Sequence, residues 1–234
     1  MANSVEDRLN RIRGEITQAA LRVGRDPNEV GLLAASKQQT KAIIEEAISA
    51  GVAHIGENQV QEAESKFGEN NIDPNSVDLH LIGSLQSNKV RRAVMLFRVI
   101  QSVDSFQLAK RIELMANELG KQIHIYLEIN LASESSKSGM NPDHLPDVTR
   151  YISECKNLTL DGLMAIPPYR EDPSEVRPFF HYLRDLRDGL LRDGPYKDGI
   201  LGLSMGMSHD YVVAIEEGAT LVRVGRAIWQ GDQS

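Results

Sequence analysis

Several residue types are scarce in this chain. It has one cysteine, Cys155, one tryptophan, and aromatics at only 5% of 234 residues. A single cysteine permits neither an intramolecular disulfide nor a CxxC zinc or redox motif. A reducing compartment fits that usage. Basic residues are in deficit, 26 against 33 acids, for a formal charge of −7. Binding to nucleic acid or to an anionic membrane surface needs a basic footprint, so neither partner is expected. No apolar run approaches about 18 residues, the length that spans a membrane. The N-terminus, Met1 to Arg8, carries Glu6 and Asp7 where a secretory signal would be basic and then apolar. A cytoplasmic protein is expected. No GxGxxG follows the first strand, and GxxxxGK[ST] is missing from the sequence, which weakens the dinucleotide and P-loop readings. The six histidines form neither H-x-x-x-H nor H-E-x-x-H, so no metal site is expected.

What is present is an alternation. Val5, Leu9, Ile12, Ile16, Ala20 and Val23 recur at helical spacing, with Ser4 and Asp7 as a capping box and Gly24 as a stop. Short apolar runs then alternate with helical segments. The runs are Val30–Ser36, Ala53–Gly56, Leu79–Gly83, Val99–Val103, Ile123–Asn130, Leu158–Ile166, Ile200–Ser204 and Leu221–Val224. Their near-continuous apolar character suits parallel strands covered on both faces. Eight such units in one chain of this length point to a single-domain α/β (β/α)8 TIM barrel with an extra N-terminal helix. An open doubly wound sheet is the competitor. No Pro-, Gly- or Ser-rich linker divides residues 1–234.

A barrel of this kind carries its active site at the C-terminal strand ends. Lys37 closes the first run. By alternation Leu33, Ala35 and Lys37 share a face, so Lys37 projects from the barrel mouth. A partly desolvated lysine is a nucleophile for aldehydes. Otherwise it is a solvated lysine at a strand end. Asn58 follows the second run and either binds a ligand oxygen or caps the following helix. Arg223 lies inside an apolar strand and needs a partner, either a structural acid or an anionic or ring-nitrogen ligand. After strands seven and eight come Ser204-Met205-Gly206-Met207-Ser208 and Gly225-Arg226-Ala227, where barrels often bind phosphate. Ser204 or Ser208 can donate to it, and Gly225 permits close approach. Ser208 can instead merely cap its helix. Gly202–Gly206 also spells the hydrolase elbow G-x-S-x-G, but no acid and histidine follow at workable spacing. A lysine, an arginine and a phosphate cradle together suit an aldehyde cofactor bearing a phosphate, pyridoxal 5′-phosphate.

Several segments carry a wider likeness: Leu33–Lys37, Gly56–Glu62, His80–Lys89, Ser136–Gly139, Gly162–Pro167, Leu203–Ser208 and Val222–Gly225. Together they resemble the pyridoxal phosphate homeostasis proteins, single-domain barrels related to the N-terminal domain of alanine racemase. The resemblance runs nearly end to end. It implies that Lys37 holds the cofactor as an internal aldimine, with Asn58 near the ring. Ile82 and Met205, inside two of these segments, join the cofactor-binding set. Arg223 would face the pyridine nitrogen and disfavour its protonation. Ser204 and the backbone of Gly225 and Arg226 would hold the phosphate, and Lys137 matches a family lysine linked with cofactor handling. Gln59, Leu79, Ser84, Arg226 and Trp229-Gln230 depart from the family pattern.

Alanine racemase-like enzymes carry a further C-terminal β-domain that helps supply a second catalytic residue, a tyrosine. This sequence ends at Ser234, just after its eighth strand. The expectation is a monomeric, non-catalytic carrier that stores, buffers or delivers the cofactor, with cofactor-dependent apoenzymes as candidate recipients. A racemase or other Schiff-base enzyme is the alternative.

Overall fold

Ser4 opens the fold. Its hydroxyl accepts the Asp7 N–H and the Asp7 carboxylate accepts the Ser4 N–H, both at 3.1 Å. This reciprocal cap satisfies two otherwise orphaned groups and starts helix α1, Val5–Arg22. The expected apolar face is buried from Val5 to Ala20, whereas Val23 is the exposed C-cap. Gly24, at φ +71°, takes the left-handed conformation that ends the helix. The structure is a computed structural model and describes residues 4–68, 71–131, 138–197 and 199–230.

Eight parallel strands follow: β1 Gly31–Ala35, β2 His54–Glu57, β3 Asp78–Leu81, β4 Val99–Val103, β5 Ile123–Glu128, β6 Leu158–Met164, β7 Gly202–Met207 and β8 Leu221–Val224. They pair in chain order, and β8 returns to β1 with Gly31 opposite Leu221 and Leu33 opposite Arg223. The barrel is closed, as the alternation predicts. The helices α2 Lys41–Ser49, α3 Val60–Lys66, α4 Val90–Leu96, α5 Phe106–Leu119, α6 Leu145–Glu154, α7 Arg177–Arg192 and α8 Tyr211–Glu216 connect the strands. A last turn, α9 Arg226–Trp229, follows β8, and α1 lies against α2, α8 and α9.

The segments before α4, α6 and α7 open as 3-10 turns, Ser87–Lys89, Pro142–His144 and Pro173–Val176. Strand β7 runs on to Met207 instead of stopping at Ser204, because its register against β8 shifts between those residues. Gly206 makes the shift possible. Its φ is +91°, and a Cβ there would lie 2.6 Å from that of Ala214. The G-x-S-x-G segment is therefore strand, not a strand-to-helix elbow.

Most of the core lies between sheet and helices, with Phe67 and Phe180 among its largest fully buried side chains. The barrel interior is different. Val99, Tyr126 and Met164 form a small apolar layer of their own. Beside it lie buried polar groups, His80, Gln101, Ser204 and Arg223. This polar interior supports the site at the mouth.

Candidate functional site

The C-terminal strand ends surround a cavity of about 730 Å³. Lys37 reaches it from just beyond β1, Asn58 from β2, Ile82 from β3, Glu128 from β5 and Arg223 from β8. Ser208, Gly225 and Arg226 line the same space. The five sequence-predicted residues Lys37, Asn58, Ile82, Arg223 and Arg226, with Gly225, thus come together. Lys37 is exposed to the cavity, and among the described residues no hydrogen bond or ion pair engages its ammonium. Asn58 does not cap α3: the N-cap is Gln59, which makes no side-chain cap bond. Asn58 is instead wall.

Arg223 is 4% exposed. Its Nη1 donates to the Ser204 carbonyl at 2.6 Å and to Ser204 Oγ at 2.7 Å, and Nη2 donates to the Ala165 carbonyl at 2.9 Å. A guanidinium has five N–H donors, so two remain for a ligand atom in the cavity. Burial pulls its pKa down to about 10, against the raising influence of Glu128, Asp210 and Tyr126. It is still a cation at neutral pH.

Glu128 is the acid that the sequence reading missed. It ends β5, is 6% exposed, and lines the cavity. Burial pushes its carboxyl up to about 7, Asp104 adds to the rise, and Arg223 opposes it. Asp210, also lining, accepts the Met207 N–H at 2.6 Å. Burial raises its carboxyl too, against that bond and the charges of Arg223 and His209. Lys37, Arg223 and Arg226 face these two acids, one of which holds its proton to about neutrality. The balance favours an anionic ligand.

The phosphate assignment needs correction at Ser204. Its side chain is fully buried beneath the cavity, accepts from Arg223, and donates to Gln101 Oε1 at 2.6 Å. It orients Arg223 and has no hydrogen left for a phosphate. Met205, expected in the cofactor-binding set, does not line the cavity: alternation turns its side chain outward into the sheet–helix core. Ser208, the other serine of that segment, does line the cavity. Its Oγ accepts the Gly225 N–H at 3.2 Å, which fixes the hydroxyl between the two loops with its own hydrogen free to donate. Lys137 lies outside the described residues.

The family departures have structural accounts. Trp229 donates its indole N–H to the Ala35 carbonyl at 2.7 Å, tying α9 to the strand that delivers Lys37. Ser84 Oγ lies 3.5 Å from Ser138 Oγ across the cavity mouth. At the rim Tyr169 packs on His209 with ring centroids 5.2 Å apart. Leu79 is fully buried.

Beneath Arg223 the polar contacts continue. Gln101 Nε2 is 2.8 Å from His80 Nδ1, and His80 Nε2 is 3.3 Å from His54 Nδ1. Burial drives His80 down to about 3, and the nearby charges of His54, Arg98 and His124 add to it. His54 and His124 emerge at the opposite, N-terminal mouth, where they meet Asp78 and Asp161 at 3.5 and 2.9 Å. Among the described residues no cluster has the geometry of a metal site. The sequence signals for this chain of contacts are polar residues inside apolar runs, His54 in Ala53–Gly56, His80 in Leu79–Gly83 and Gln101 in Val99–Val103.

A sequence profile for the alanine racemase N-terminal domain matches residues 16–233. A relative from Aquifex aeolicus is 40% identical over 95% of this chain and 96% of its own length. Another, from Escherichia coli K12, is 36% identical over 97% and 96%. Both are named pyridoxal phosphate homeostasis proteins. The chain belongs to this family. PipY of Synechococcus elongatus, in a structure described as having PLP bound, is 35% identical with a TM-score of 0.81, over 97% of this chain and 100% of that one. Alanine racemase of Clostridium difficile shares the fold at TM-score 0.71 and 11% identity, with 95% of this chain covering 57% of that one. No helix among the described residues is long and apolar enough to cross a membrane.

Proposed function

We propose that this protein binds pyridoxal 5′-phosphate and serves intracellular homeostasis of that cofactor as a carrier. One observation carries the reading: the Lys37 amine, unengaged among the described residues, and buried Arg223, with two N–H donors that no described residue takes, line one cavity. The residues present fit the group. Lys37 supplies the amine an aldehyde needs, Ser208 and Arg226 supply a hydroxyl and a charge for a phosphate, and Ala35, Gly83 and Ile82 leave a small, apolar wall. When bound, the cofactor supplies an aldehyde carbon that forms a reversible bond to nitrogen. Lys37 makes that covalent bond, and one water leaves. Asn58 and Ile82 would flank the ring, Arg223 would face its nitrogen, and the Arg226 N–H would join Ser208 at the phosphate, with Gly225, whose own N–H holds Ser208, allowing close approach. Lys137 assists cofactor handling.

The protein acts without turnover, in the cytoplasm and as a monomer, and passes the cofactor to apoenzymes. The names of the near-full-length relatives support a homeostatic role over an enzymatic one. In the test, purified protein is incubated with pyridoxal phosphate, treated with borohydride, and digested. A visible absorption band and a label on the Lys37 peptide are expected, both lost in Lys37→Ala. A colourless protein, or a label on another lysine, refutes the assignment. Racemisation of an added amino acid above the free-cofactor rate refutes the carrier role.

A further inference from the structure

Gln38 stands out in the backbone. Its φ is +63°, and it is the sole non-glycine residue in the left-handed region among the described residues. Such a conformation is strained and persists only where its surroundings over-determine it. Here it sits directly after Lys37. The constraint comes from outside the barrel. The Gln38 N–H donates to Glu62 Oε1 at 2.5 Å. Lys66, 6% exposed, donates to that same oxygen at 2.7 Å, to Glu57 Oε1 at 2.8 Å and to the Ser36 carbonyl at 2.8 Å. Those three bonds use all three ammonium hydrogens. Ser36 Oγ donates to Glu57 Oε1 at 2.6 Å. Residues 36 and 38 are therefore both fastened, and Lys37 is the free side chain between them.

We propose that Glu62 is a positioning residue for Lys37: with Lys66 and Glu57 it holds the Ser36–Lys37–Gln38 turn in the strained shape that aims the Lys37 amine into the cavity. The inference rests on the reading of Lys37 as the residue that takes the cofactor. Partial burial pushes the Glu62 carboxyl up, but the bonds from Lys66 and the Gln38 N–H, with the charges of Lys66 and Lys37, outweigh it and keep the group ionised. Glu57 is less replaceable. It is fully buried and its Oε2 has no hydrogen-bond partner among the described residues, so losing Lys66 would leave an uncompensated charge and endanger folding. Glu62 is partly exposed and gives the cleaner variant.

The test compares Glu62→Ala, Glu62→Gln and the double variant Glu62→Ala/Gln38→Gly. Hydrogen exchange at the Gln38 amide is followed without cofactor. The rate of borohydride-trapped labelling of Lys37 by pyridoxal phosphate is then followed across pH. Glu62→Ala is expected to lose protection at Gln38 and to label Lys37 about tenfold more slowly. Glu62→Gln keeps an oxygen acceptor and recovers most of the rate. Glycine at 38 removes the strain and recovers part of it. Wild-type protection and labelling in Glu62→Ala, or a glutamine variant as slow as alanine, overturns the proposal. Wild-type protein that carries no label on Lys37 overturns instead the reading on which it rests.

Discussion

Replacing Glu128 by glutamine should flatten the pH dependence of stability. Glu128 ends β5 nearly buried, with Arg223 near it and Asp104 opposing its ionisation. Among the described residues no hydrogen bond or ion pair engages its carboxylate. The folded protein holds the proton to about 7, against an ordinary value of 4.5. That gap corresponds to about 3 kcal/mol. The sign follows from proton counting. Between 4.5 and 7 the folded state keeps a proton that the unfolded chain has released, so this group's contribution falls as pH rises through that window. Above it the ionised carboxylate costs the full amount. Glutamine has nearly the same shape and does not titrate. Relative to wild type, the variant should therefore gain up to about 3 kcal/mol between pH 5 and pH 8. Urea unfolding of cofactor-free protein at both pH values measures this directly. A wild-type-minus-variant difference that stays the same at pH 5 and pH 8 would refute the assignment of a neutral buried Glu128.

Arg223→Met should cost about 2–5 kcal/mol, because it strands the Ala165 carbonyl without a donor and leaves the Ser204 carbonyl only the Ala165 N–H at 3.2 Å. The visible band of Lys37-bound cofactor should shift or its retention weaken, and unchanged stability and spectrum together would remove Arg223 from the site. Gly83→Ala places a Cβ 2.2 Å from the Asn58 carbonyl oxygen, a backbone contact that cannot swing away. It should lower stability by about 1–3 kcal/mol and displace Asn58 from the cavity, with thermal melting as the measure. Gly14→Ala is the contrasting case: it lies inside α1 with nothing within 4 Å, and should stabilise by about 0.5–1 kcal/mol.

The barrel was legible because its signals are local. Short apolar runs repeat eight times between amphipathic helices, and each run is a strand. Arg223 was legible for the same reason, since a charge inside the run Leu221–Val224 is anomalous on its own terms. Ser204 was misassigned because its partner is distant: Gln101, 103 residues earlier, takes its hydroxyl hydrogen. Nothing near Ser204 in sequence reveals that. Glu128 escaped for a related reason. A glutamate at a strand end normally meets water, and only burial by other strands raises its pKa. Lys66 reads as an ordinary residue near a helix end, and its role appears once Ser36, Glu57 and Glu62 surround it.

The interior contacts have one direction, and Arg223 sets it. A guanidinium only donates, so Ser204 Oγ accepts from it, and its own hydrogen goes to Gln101 Oε1. That fixes the Gln101 amide with its nitrogen toward His80 Nδ1, which must accept. The His80 proton then sits on Nε2 and donates to His54 Nδ1. This requires His54 to be neutral, and burial together with Arg98 does lower its pKa, although Asp78 pulls the other way. A second proton on His80 would set an N–H against the N–H of Gln101. The pKa of about 3 therefore agrees with the bond order as well as with burial. At the head of this chain Arg223 spends three of its five N–H donors on Ser204 and Ala165, which leaves two that no described residue takes.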